Sequence, residues 1–140
     1  MQYVILDHQL QAEDFIRLFA SVGWGELPSD RVETCLANSD ATVSVQCEGK
    51  PIAMARLLGD GAMSFFLKDF AVDPEYQGHG IGRALLTHVE DYIRAQLKPE
   101  WEGYLQLVSA KGKEAFYQKL GYAVHPHEHS GPGMSKWIKP

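Results

Sequence analysis

Residues Glu75 to Leu86, EYQGHGIGRALL, place three glycines within five positions and then turn apolar at helical spacing. Glycine costs a helix about 1 kcal/mol relative to alanine, so three of them at a helix start need a reason. A loop whose backbone amides must approach an anion closely supplies one. Three kinds of phosphate cradle can be tested against this spacing.

A Walker loop ends in Gly-Lys-Ser/Thr, and no lysine follows here. A dinucleotide fingerprint reads G-x-G-x-x-G, but starting at Gly78 its third glycine falls on Arg83, and starting at Gly80 it falls on Leu85. What fits is Q-x-x-G-x-G, with Gln77, Gly80 and Gly82. The helix dipole places roughly half a positive charge at such a terminus. Arg83 opposes that dipole in the first turn, and a bound anion would explain it.

Upstream, Met63 to Val72 reads as a long strand closed by Asp73-Pro74, because proline removes a ladder donor. Downstream, Ile81, Leu85, Val89, Tyr92 and Ile93 recur every three to four residues and predict an amphipathic helix ending before Pro99. Tyr3–Leu6 is a short first strand. Gln11–Ser21, stopped by Gly23, and a segment from Pro28 to about Ala37 are helical. Thr42–Glu48 alternates as a half-buried strand, and Ile52–Leu58 returns from the turn at Glu48-Gly49-Lys50-Pro51. Gly103–Val108 is a strand and Gly112–Leu120 a helix. Tyr122–Val124 and Met134–Ile138 are expected to close the sheet. This order predicts an α+β or α/β fold with a mixed sheet. With no repeat, linker or low-complexity stretch, residues 1–140 read as a single domain.

Composition narrows function. Apolar residues are 45% and charged residues 22%, as in globular proteins, and the net charge of -5 disfavours a broad nucleic-acid surface. No apolar run approaches the roughly 20 residues that span a bilayer. MQYVILDHQL lacks a basic leader, so the expected compartment is the cytoplasm. Cys35 and Cys47 do not make a disulfide framework.

In Val72-Asp73-Pro74 and the Gln77–Gly82 loop, the chain resembles the GCN5-related N-acetyltransferase (GNAT) superfamily. The resemblance implies a central, mostly antiparallel sheet with splayed middle strands and about four flanking helices. It implies acetyl-CoA as co-substrate, its pyrophosphate held by the backbone of Gln77, Gly78, His79, Gly80, Ile81, Gly82 and by Arg83. The backbone of Phe70, Ala71 and Val72 would align the pantetheine arm. Tyr117, in Tyr117-Gln118-Lys119-Leu120-Gly121-Tyr122, matches the family's Tyr-x-x-x-Gly-Phe/Tyr, whose phenol protonates the leaving thiolate. The family often has asparagine seven residues before this tyrosine; here Ala110 stands there, with Lys111 as an alternative phosphate contact.

Strand alternation places Lys68, Phe70 and Val72 on one face and Leu67, Asp69 and Ala71 on the other. A carboxylate in an apolar strand is expensive without a partner. Asp69 is therefore either the base that takes the amine's proton or a structural carboxylate. The resemblance places the acceptor beside Trp24 and Glu26, and the acidic chain suits a small primary amine. His125, His127 and His129 alternate with Glu128 nearby, but the transfer needs no metal and none is expected. His79 is expected to lend only its backbone. The resemblance also admits a homodimer through the closing strands. A non-catalytic acyl-CoA-binding module on the same fold is the alternative reading.

Overall fold

The structure, a computed structural model, describes residues 1–140. Its elements run β1 (Val4–Asp7), α1 (Ala12–Ser21), α2 (Ser29–Ala37), β2 (Ala41–Cys47), β3 (Lys50–Gly59), β4 (Ser64–Val72), a 3-10 turn (Pro74–Tyr76), α3 (Ile81–Gln96), β5 (Tyr104–Leu107) and α4 (Glu114–Lys119). Met1–Leu107 form one compact unit and Val108–Pro140 a second.

The first unit holds one five-stranded sheet in the order β1-β2-β3-β4-β5. The first four strands are antiparallel neighbours, and β5 pairs parallel to β4 from Ser64↔Tyr104 to Leu67↔Leu107. The mixed, mostly antiparallel sheet is thus present. Pairing with β5 stops at Leu67, so residues 68–72 of β4 lie beyond it. This is the expected splay. The β2–β3 turn contains only Glu48 (φ 52°) and Gly49 (φ 76°) between the paired Cys47 and Lys50. Two positive φ values in a two-residue hairpin match the right-handed twist of its strands.

Apolar periodicity becomes packing on both faces of the sheet. On one face Phe15, Leu18 and Val32 from α1 and α2 meet Leu10, Met54 and Ala71. On the other, α3 buries Ile81, Leu85, Leu86, Val89 and Ile93. A Cβ at Gly103 would lie 2.9 Å from Phe65 and 3.2 Å from Ile93, so Phe65 packs against the end of α3. Burying each such side chain contributes about 1.5–3 kcal/mol.

Two expectations need correction. β2 is not half-buried: Thr42 and Ser44 are 6% and 0% exposed, because the sheet is covered on both sides. Tyr122–Val124 and Met134–Ile138 are not strands. In the second unit the pairing is a single His127↔Ser130 bridge, and residues 131–140 are exposed. A strand of a few residues is stable only when a neighbour pairs with it, and neither segment is paired.

Candidate active site

β4 does not keep its alternation. The pairs Met54↔Ala71 and Arg56↔Lys68 leave Ala55 facing two residues, Asp69 and Phe70, in a bulge. Asp69 has φ 52°, the left-handed region that aspartate tolerates better than most residues. The extra residue reverses the facing of the rest of the strand. Phe65 packs towards α3, whereas Ala71, which strict alternation would place with it, lies in the α1/α2 cluster. The grouping of Leu67, Asp69 and Ala71 on one face is thereby corrected. Asp69 is not alone either: Arg56 Nε donates to its Oδ2 at 2.8 Å, and both side chains are 14% exposed. Phe70 and Val72 are half-buried and Ala71 is buried.

After Val72 the chain is braced at several points. Asp73, 8% exposed, accepts from Glu75 N at 3.0 Å and so shapes the 3-10 turn. Arg17 of α1 donates to Pro51 O at 2.7 Å and lies 3.9 Å from Asp73. Gln77 turns its side chain back, Nε2 donating to Val72 O at 3.0 Å. The motif glutamine therefore closes the loop on itself.

Gly78 (φ 82°) and Gly80 (φ 78°) are left-handed, and a Cβ on either would meet nothing within 4 Å. It is the backbone conformation, not crowding, that requires glycine there. Gly80 heads α3, whose first hydrogen bond runs from Ala84 N to Gly80 O at 3.1 Å. The amides of Ile81, Gly82 and Arg83 precede that bond and have no acceptor in the chain. α3 has 16 residues, no capping side chain and no acid in its first turn. The Ile81 side chain is buried, so only its backbone serves the loop, while His79 and Arg83 are exposed. The result is a row of unsatisfied donors at a positive helix end beside a free guanidinium, which fits a diphosphate.

Between α1 and α2, Trp24 is 38% exposed and meets Phe19 edge to face at 5.3 Å between centroids. Glu26 is exposed on the same loop. In the second unit Tyr117 is 8% exposed, with edge-to-face neighbours Phe116 at 5.0 Å and Tyr122 at 6.0 Å. Burial pushes its hydroxyl pKa up to about 12, so the phenol holds its proton throughout the neutral range. Lys111 is exposed ahead of α4. His125 Nδ1 lies 2.7 Å from Ser130 Oγ, and no group of three or more His, Cys, Asp or Glu side chains is arranged around a metal position.

Sequence reasoning missed Arg56 and Arg17. Arg56 had a signal, as a lone cation in Ile52–Leu58 facing a lone anion in the next strand. Arg17 showed only its i,i+3 pairing with Asp14; its contacts to Pro51 and Asp73 lie 34 and 56 residues away.

This arrangement fits an acyltransferase. The acetyltransferase (GNAT) domain matches residues 38–124, and the chain belongs to that family. It is an acetyltransferase of the GNAT type. An uncharacterized N-acetyltransferase ycf52-like from Prochlorococcus marinus is 33% identical over 89% of this chain and 71% of that one. The chloroplastic serotonin N-acetyltransferase 2 of Oryza sativa is 29% identical over 78% and 54%. The histone acetyltransferase TAP1 of Glycine max is 32% identical over 81% and 52%, so this chain spans about half the length of the last two. A Staphylococcus aureus protein described as "Probable Acetyltransferase" superposes with TM-score 0.83 at 25% identity, covering 97% of this chain and 100% of that one.

Proposed function

We propose that residues 1–140 act as one acetyl-CoA-dependent N-acetyltransferase domain, moving an acetyl group to a small primary amine by direct transfer in a ternary complex. The observation that carries this is the Gln77–Arg83 loop, with two left-handed glycines, three amides without acceptors and an unpaired Arg83. The family match runs across the boundary between the two units, which supports treating them as one domain.

In this reading the backbone of 77–83 and Arg83 hold the diphosphate, with Lys111 as a further cation. The backbone of Phe70, Ala71 and Val72 aligns the pantetheine amides as an added strand would. Acetyl-CoA supplies a thioester-activated acetyl group. The amine arrives as a cation and releases one proton to solvent; its nitrogen then bonds the acetyl carbon, the carbon–sulfur bond breaks, and the second proton on nitrogen passes through water to restore the Tyr117 phenol. Tyr117 gives its phenolic proton to the departing thiolate. Burial keeps that proton in place until it is needed.

Trp24 offers a face to the acceptor and Glu26 a charge that attracts a cation. The net charge of -5 favours cationic amines over polyanions. The rice relative is named for serotonin and the soybean relative for histone, so a small amine and a protein are both acceptors named for similar chains. No helix is long and apolar enough to cross a membrane. The cytoplasm remains the proposed compartment, while the rice relative is named as chloroplastic. Exposed Met134, Trp137 and Ile138 support a homodimer, testable by light scattering.

The experiment is calorimetric titration with acetyl-CoA, followed by thiol release with arylalkylamines, polyamines and a lysine peptide. Binding without turnover on any amine would refute the transfer. Faster turnover on the peptide than on every small amine would refute the acceptor class.

A further inference from the structure

We propose that Arg56 is a positioning residue for the acyl donor: through Asp69 it holds the bulge that sets the backbone of Phe70–Val72. This rests on the donor-binding reading above and adds a residue that neither the glycine loop nor the tyrosine motif contains.

Arg56 faces Lys68 directly across the β3–β4 ladder. Two cations in facing positions repel, and regular alternation would turn Asp69 to the opposite face of the sheet, out of reach of Arg56. The carboxylate nevertheless lies 2.8 Å from Arg56 Nε. It gets there because the strand carries one extra residue and Asp69 adopts φ 52°. The pair therefore exists only in the bulged strand, and each feature sustains the other.

What the bulge changes lies immediately downstream. Phe70, Ala71 and Val72 are shifted by one position relative to Phe65 and Leu67, and Ala71 enters the α1/α2 cluster. Without the bulge all three would present their other faces. Their peptide groups, proposed to pair with the donor's amides, would rotate with them. Arg56 touches neither donor nor acceptor in this account. Asp69 serves as its anchor, which assigns the strand's carboxylate to structure and not to proton transfer.

The test is a double-variant rescue. Arg56→Met keeps length but leaves a half-buried carboxylate without its partner, and acetyl-CoA affinity should fall about tenfold or more. Arg56→Met combined with Asp69→Gly removes both charges and installs the residue best suited to a positive φ at the bulge. Affinity should then return to within about threefold of wild type. Hydrogen exchange of the Phe70–Val72 amides without acetyl-CoA should quicken in the single variant and return towards wild type in the double. Wild-type affinity in Arg56→Met overturns the proposal. So does a double variant that stays weak or fails to fold, since glycine meets the need that the pair serves. A double variant that binds acetyl-CoA normally but has lost transfer also overturns it, by making Asp69 the base. If wild type itself does not bind acetyl-CoA, the donor reading falls, and the exchange data still report whether Arg56 holds the bulge.

Discussion

Gly80→Ala tests the phosphate loop on backbone energetics alone. Gly80 sits at φ 78° at the head of α3, and an added Cβ would meet nothing within 4 Å. Sterics with neighbours therefore contribute nothing, and the penalty is that of an L-residue held left-handed, about 1–2 kcal/mol. This penalty must appear either on folding or on binding. If the loop keeps its shape, unfolding in urea occurs with about 1–2 kcal/mol less stability and acetyl-CoA affinity is unchanged. If the loop relaxes, stability barely moves, but the amides of Ile81–Arg83 lose their common direction and restoring it weakens affinity about 5–30-fold. The two losses, measured by urea titration and calorimetry, should sum to the same total. Gly80→Asn should show a smaller total, because asparagine tolerates this region. A summed loss near zero would refute the conformational argument. A loss of affinity beyond about a hundredfold would also refute it, since strain of this size cannot produce that change.

Tyr117→Phe should lower the rate of transfer about 10²–10⁴-fold with acetyl-CoA affinity unchanged, as read by steady-state kinetics and calorimetry. The raised pKa of Tyr117, about 12, predicts a rate that climbs with pH as the amine loses its proton and shows no alkaline fall below about pH 10. The same shift means that any stability from the buried phenol is intact below the unfolded pKa near 10 and is lost as pH rises towards 12. Asp60 accepts from the amides of Ala62, Met63 and Ser64, which lower its pKa to about 2. Its contribution is present above pH 3.8 and is lost as pH falls through 2, so Asp60→Ala should flatten acid unfolding in that window. Leu85→Ala, at a fully buried position of α3, should cost about 2–5 kcal/mol in urea unfolding.

Features that depend on near neighbours in the chain were legible without the fold. The α3 stripe, the turn at Glu48-Gly49 and the glycine loop each arise from residues within a few positions of one another. The spacing proposed as a phosphate cradle was legible too, because motif spacing is a property of the chain. Asp69 was legible as an anomaly, a charge in an apolar strand, and so was Tyr117 as a motif position.

The tertiary structure decided what two distant segments do together. Residues 134–138 have strand-like composition, but a strand needs a neighbour to pair with, and in the second unit none is paired there. Alternation on β4 failed at Asp69 because β3 supplied one residue where β4 supplied two, a mismatch that exists only once the strands are in register. The same register brought Arg56 to Asp69 across 13 residues and gave the anomalous carboxylate its partner. The sequence by itself determined the helical stripe, the hairpin turn and the motifs on which the proposed site rests, since periodicity, glycine placement and motif spacing act locally. Only the sheet decided where Asp69 and the Phe70–Val72 backbone point, because a single inserted residue reverses every face beyond it.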